Sequence, residues 1–314
     1  MTEIFQIKKI NSYSELEEFL KNHLKISLNN INEEFIFRGD SNYSDKLQPK
    51  LFRKQCKGCE KYLIDKDVNK LLYNPTNEYN SLVFKMFLAM KQNKIITDEL
   101  PNINFNTITK EECKTIFYKH KNEIGLSQHN ELPTIGIDFT YDLKIALYFL
   151  IAGDFKEEDD WEDKWFKKES CLWIFKKYIF EDNQSENQNL LKLDLDHQTN
   201  PNANQQDGLL VLCLDNDKKI NIDDFCAFKS LNKNSRSFTE ENKINIECNG
   251  VKFQNINIPI GYKILISPKV KIEIIKNFDF FKMLEVWPKE PPKYNIEKNR
   301  ISIKLEEMYN NYNN

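Results

Sequence analysis

Arg38 is one of only four arginines in a chain whose other basic residues are lysines. It closes a short apolar run, Phe35-Ile36-Phe37, and Gly39 follows it. A guanidinium is planar, permanently charged and able to donate two parallel hydrogen bonds, which suits a carboxylate or a phosphate. A glycine behind it allows another group to approach the backbone closely. Further residues with chemical potential are His129 in Gln128-His129-Asn130, Asp138 and Thr140 in Ile137-Asp138-Phe139-Thr140, and Gln206 and Asp207 just before Gly208. A histidine can act as acid, base or donor near neutral pH. A hydroxyl both donates and accepts. A carboxylate can stabilise positive charge that develops in a reaction.

Each of these residues also has an ordinary structural reading. Arg38 would form a buried ion pair, with Asp138 as a candidate partner. His129 would anchor a loop, and Asp138 would cap the helix that follows it. Gln206 and Asp207 would make a turn before a strand. Of the seven cysteines only Cys56 and Cys59 have C-x-x-C spacing, with no second pair and no nearby histidines. A Lys-Gly turn accounts for that stretch better than zinc or redox chemistry. An odd cysteine count in a chain this long fits reduced thiols.

The elements that must position these residues follow from periodicity. Residues 12–25 read as a helix with Leu16, Phe19, Leu20 and Leu24 on one face. Residues 75–92 form a second helix with a Leu82-Met86-Met90 stripe that reads as core packing. Residues 109–125 open on a Thr109-Glu112 capping-box pattern. Residues 142–152 read as a buried helix in which Tyr148 and Phe149 belong to the core. Strands are expected at 35–37, 171–175, 208–214, 244–248, 251–258 and 262–267. Helices dominate the first half and strands the second, which predicts an α+β fold: a helix-rich N-terminal half packed on a mixed or antiparallel sheet.

The chain has 314 residues, 40% hydrophobic and 12% aromatic, enough to bury a sizeable core. Its net charge is −3, from interspersed acidic and basic residues, so charge does not point to a nucleic-acid surface. No apolar run reaches the length of a membrane span, and no secretory leader pattern opens the sequence. The expectation is a cytoplasmic protein with no membrane partner and no metal.

Taken together and in order, several of these stretches resemble the FRG-domain family, named for its Phe-Arg-Gly motif, here Phe37, Arg38 and Gly39. The block at 126–140, with the Ala146-Leu147-Tyr148-Phe149 stretch behind it, is similar to the family's Q-H-x-G-L-P-T-R-L-L-D-W-T pattern and A-L-Y-F helix. Gln128, His129, Leu132, Pro133, Thr134, Asp138, Thr140, Ala146, Tyr148 and Phe149 match. Glu131, Ile135, Gly136 and Phe139 depart from it. Gln206, Gly208, Leu209 and Leu210 resemble a third, Q-x-G, strand. The resemblance spans about residues 33–215 and implies a single FRG domain over 1–290, with 291–314 as a C-terminal tail.

That family looks like a distant variant of the ADP-ribosyltransferase fold, so the resemblance implies an ADP-ribosyltransferase-like core. It further implies NAD as ligand or substrate, with a protein or nucleic-acid acceptor. Arg38, Gly39, Thr140 and Gln206 would hold the nucleotide, and Asp138, His129 and Asp207 would be the catalytic candidates. In that picture the chain is a transferase or NAD glycohydrolase acting as a bacterial toxin or phage-defence effector. The alternative is a catalytically inactive nucleotide- or protein-binding module. Gly208 stands where the catalytic Glu of typical ADP-ribosyltransferases is expected. Asp207 beside it should face the other side of an unbulged strand.

Overall fold

The computed structural model describes residues 5–26, 34–43, 47, 49–52, 78–97, 108–129, 132–152, 168–180, 190–196, 207–214, 239–240, 243–248, 251–257 and 261–277. The Cys56–Cys59 stretch, Gln206 and the 291–314 tail lie outside these residues, as does the side chain of His129.

The strands are β1 (Phe5–Ile10), β2 (Phe35–Asp40), β3 (Gly136–Thr140), β4 (Ser170–Lys176), β5 (Leu190–Asp194), β6 (Gly208–Cys213), β7 (Thr239–Glu240), β8 (Lys243–Cys248), β9 (Val251–Asn257) and β10 (Gly261–Ile266). The α-helices are α1 (Tyr13–Phe19), α2 (Glu78–Gln92), α3 (Lys110–Lys119), α4 (Lys121–His129), α5 (Leu143–Ala152) and α6 (Pro268–Asn277). Seven strands make one mixed sheet in the order β1-β10-β4-β2-β3-β6-β5, in which only β1 and β10 run parallel. Strands β7, β8 and β9 form a separate antiparallel sheet. The expected α+β class with a mixed sheet is what the chain adopts, with α1 to α5 all preceding residue 153. Among the described residues no helix is long and apolar enough to cross a membrane, and no group of His, Cys, Asp or Glu could hold a metal ion.

Local chemistry sets the helix ends. Ser12 accepts from the Glu15 amide at the start of α1. The Thr109–Glu112 capping box closes in both directions at α3. The Asp142 carboxylate accepts from the Lys144 amide at 2.7 Å and so starts α5. The cap is therefore Asp142, not Asp138. Residues 109–125 were expected as one helix, but His120 leaves helical geometry (φ −110, ψ 24) and divides it into α3 and α4. The break is tight, because the His120 amide still reaches the Ile116 carbonyl and its own carbonyl takes the Ile124 amide. Helix α4 then runs on to His129, so Leu126 to His129 are helical. Strands β1, β5 and β7 and helix α6 were not anticipated. The last had a legible signal: Ser267 caps and Pro268 occupies the first helical position.

Directly paired residues share a face, so the register shows what lies beside what. One unbroken row crosses five strands: Tyr262, Ile174, Phe37, Thr140, Gly208. The next row on that face, two residues along, is Ile264, Leu172, Gly39 on one side and Asp138, Leu210, Leu193 on the other. Between Gly39 and Asp138 there is no pairing. Strands β2 and β3 share one registered pair, Phe37 with Thr140, and then part. The helices divide at the same place. Helices α1, α5 and α6 bury Phe35, Phe37, Leu172, Ile174, Tyr262 and Ile264. Helices α2, α3 and α4 bury Leu191, Leu193, Leu210 and Leu212.

Gly39 seats α5. A Cβ added there would collide with the Ala146 carbonyl oxygen and lie 2.5 Å from the Leu150 amide nitrogen, both backbone atoms that cannot move alone. The helix presses its buried residues, Ala146, Leu147, Leu150 and Ile151, toward the sheet. Tyr148 and Phe149, expected in the core, are half-buried and stack edge to face at 5.7 Å. We predict that Gly39→Ala destabilises the protein by about 1–3 kcal/mol, because α5 must lift from β2. A melting temperature equal to that of the wild type would refute this packing role.

Candidate ligand site at the parting of two strands

Arg38 fills the opening between β2 and β3. On a strand, residues two apart share a face, so Arg38 and Asp40 lie side by side. The Arg38 guanidinium donates to the Asp40 carboxylate from Nε at 3.0 Å and from Nη2 at 2.8 Å. Its Nη1 donates to the main-chain carbonyl of Asp138 at 2.9 Å. That carbonyl lies at the unpaired position of β3, so a side chain supplies a contact that the missing ladder does not. Asp40 is held from a third strand as well, because the indole Nε1 of Trp173 donates to its Oδ2 at 3.0 Å. Trp173 sits directly opposite Arg38 in register, with Lys263 on its far side. The Lys263 ammonium lies 4.3 Å from the Trp173 ring centroid and donates to the Tyr43 carbonyl. One chain of contacts thus runs across β10, β4, β2 and β3.

The electrostatics follow from this geometry. Burial works against the charge on Arg38. The Asp40 carboxylate, with Asp138 and Cys171 adding, outweighs it and holds the guanidinium above its ordinary value. Arg38 is therefore charged at any physiological pH. The ion-pair partner is Asp40, where the sequence had pointed to Asp138. Asp138 gives Arg38 its carbonyl oxygen, and its side chain is exposed. By alternation that side chain stands on the helix-covered face, in the strip between the two helix clusters.

The other expected site residues fall as follows. Thr140 is buried, and its hydroxyl accepts from the Asp142 amide at 3.0 Å, so it shapes the turn into α5. It lies beside Phe37 and Gly208 in the same row. Arg38, Asp138 and Thr140 are thus neighbours in the backbone at the β2–β3 contact, but the Arg38 side chain stands on the face with Asp40 and Trp173 and the Asp138 and Thr140 side chains on the helix-covered face. Asp207 adopts a left-handed backbone conformation, φ 43, and its carbonyl accepts from the Tyr141 amide at 3.1 Å. That matches the turn expected before β6, at a strain of about 1 kcal/mol. The glycine of the motif, Gly39 on β2, is covered by α5, so the close approach it permits is to the protein's own helix.

Departures from the motif are compensated locally. Ile135, where an arginine was expected, is fully buried in the second cluster. Phe139, where a tryptophan was expected, is buried edge-on to Phe175 at 5.7 Å and beside Phe180 at 6.1 Å. The Gln128 side chain lies against Gly136 and donates Nε2 to its carbonyl at 2.8 Å, tying the end of α4 to the start of β3. Sequence reasoning missed Asp40 and Trp173. The Arg38-x-Asp40 spacing was a usable signal for the first, whereas pairing Trp173 with Arg38 needs the β4 register.

Residues 33–160 match the family model described as FRG domain. The match holds the first two sequence blocks and ends before the Gln206–Leu210 stretch. No curated protein and no solved structure matches the chain.

The pairing of Arg38 with Asp40 makes a stability prediction. Side chains on both residues are largely buried, 20% and 12% exposed, so removing one partner leaves a charge poorly solvated. Arg38→Ala and Asp40→Ala should each cost about 3 kcal/mol, and the double variant should cost less than the two losses combined. Denaturant melts of the four proteins measure this; fully additive losses would show that the pair is not coupled.

Proposed function

We propose, from the premise that residues 33–160 form an FRG domain, that the protein binds NAD or a related nucleotide where β2 and β3 part. The pocket would be ADP-ribosyltransferase-like in placing an arginine on one central strand where it parts from the next. One observation carries this reading: beyond the single Phe37–Thr140 pair, the opening is spanned by a charged guanidinium bound to the Asp138 carbonyl, and the exposed Asp138 carboxylate stands on the opposite, helix-covered face of the same opening. A guanidinium has five N–H donors, and the contacts to Asp40 and to the Asp138 carbonyl leave donors on Nη1 and Nη2. Those suit a diphosphate or ribose oxygen. The Asp138 carboxylate suits a ribose hydroxyl.

The structural contacts of Arg38 support the reading as well. An arginine clamped by Asp40 loses little conformational freedom when a ligand arrives, so more of the contact energy appears as affinity. Gly208 offers no carboxylate at the expected catalytic position, and Asp207 is engaged in its turn. These two features favour a binding module. The exposed Asp138 favours a second reading, slow cleavage of the bond between nicotinamide and ribose, in which its carboxylate would stabilise the positive charge that builds on the sugar.

Isothermal titration with NAD tests the proposal. Arg38→Lys should weaken binding about tenfold despite keeping the charge, because the forked donor geometry is lost. Melting curves of the same variant separate this loss from instability. Equal affinity of wild type and Arg38→Lys, or no NAD binding by the wild type, would overturn it. Nicotinamide release measured alongside, with Asp138→Asn, decides between the two readings. Turnover that disappears in Asp138→Asn while binding persists would establish the enzyme, and no turnover in the wild type the binding module.

A further inference from the structure

A second cluster of ionisable side chains lies at the end of the sheet where β3, β4 and β5 finish and β6 begins, and the FRG motif contributes none of it. Its centre is Asp194, the last residue of β5. The Tyr141 hydroxyl donates to Asp194 Oδ1 at 2.6 Å. The Lys192 ammonium lies 3.3 Å from Asp194 Oδ2 and 3.4 Å from the Tyr141 oxygen. Lys121 donates to the Asp194 main-chain carbonyl at 2.6 Å. The Lys177 ammonium stands 5.1 Å from the Tyr141 ring centroid. These residues come from four separate stretches of chain.

The charge balance is uneven. Among the described residues the Lys192 and Lys177 ammonium groups act on one carboxylate while Lys121 holds the carbonyl of the same residue, and each ammonium carries three N–H donors, more than these contacts use. Burial pushes the Asp194 carboxyl up, but the Tyr141 hydroxyl and the Lys192 and Lys177 ammonium groups outweigh it and leave it below its ordinary value. It is ionised, and it holds Lys192 and Tyr141 together. Lys192 is nearly buried, 13% exposed, whereas the Asp194 side chain is 58% exposed, so the cluster opens to solvent. A surface ion pair needs one lysine. Two lysines and a phenol drawn to one carboxylate, with a third lysine on the carbonyl of the same residue, leave an excess of converging positive donors among the described residues.

We propose that Lys121, Lys177, Lys192 and Tyr141 form a subsite for a small phosphate-bearing ligand. A phosphate has oxygens enough to accept from several ammonium groups together, and its charge answers the excess that Asp194 leaves. Asp194 preorganises the donors, so their mutual repulsion is already met before the phosphate arrives. Lys177 is the natural contact, since its ammonium rests on a ring and has N–H donors to give. The subsite does not rest on Arg38 or on the nucleotide reading.

Calorimetric titration with pyrophosphate tests it. The wild type should bind saturably, Lys177→Ala should bind about tenfold more weakly, and Lys177→Arg should restore most of the loss. Lys269→Ala, which removes an exposed lysine on α6, should bind as the wild type does. Lys177 is partly exposed, so its variants should keep the wild-type melting temperature, which the same samples report. The proposal is overturned if the wild type shows no saturable binding, or if Lys177→Ala and Lys269→Ala bind alike. A short oligothymidylate that binds more tightly than pyrophosphate would overturn the small-ligand assignment.

Discussion

The contact between Arg38 and Asp40 is the constraint on which the centre of this fold depends. Two strands that begin as neighbours separate after one pair. Separation exposes main-chain groups that a sheet would ordinarily satisfy, and each such group costs stability if it is buried and unmet. The guanidinium meets the Asp138 carbonyl, but a charge placed there needs its own counter-ion. Asp40 supplies it from the same strand face, and Trp173 fixes Asp40 in turn. Remove any member and another is left with an unmet polar group.

The Phe-Arg-Gly motif then reads as three positions of one architectural device. Phe37 makes the last pair before the strands part and buries itself under α5. Arg38 spans the opening. Gly39 lets α5 lie against β2 where any side chain would hold it off. Because α5 covers β2 while α2, α3 and α4 cover β5 and β6, the helix layer is divided along the same line as the sheet. A divided sheet beneath a divided helix layer is the kind of junction that binding sites generally prefer.

Periodicity and caps made much of the fold legible from sequence. The capping box at Thr109 and the apolar helix at Leu143–Ala152 formed as expected, since both are local. Strand β1 was not, because an edge strand with exposed Ile7 and the adjacent Lys8 and Lys9 carries little apolar pattern. The separation of β2 from β3 was not legible either, as register is a property of two strands and no local pattern encodes it. The same holds for the site. The residue types at 38, 138 and 140 drew attention, yet the ion-pair partner of Arg38 was assigned to Asp138 when the nearer Asp40 holds it. The Tyr141–Asp194 cluster gave no signal, since Tyr141 and Asp194 become neighbours only through the pairing of β3 with β6 and of β6 with β5.

The central claim is that one guanidinium both closes the gap and faces the ligand. Nitrogen-15 NMR of the arginine side chains tests it most directly, and four arginines make the assignment tractable. Titration with NAD should shift the Nη signals of Arg38, while its Nε signal, committed to Asp40, stays in place. NAD binding that leaves every Arg38 signal unmoved, or that moves Nε by breaking the Asp40 contact, would contradict the account.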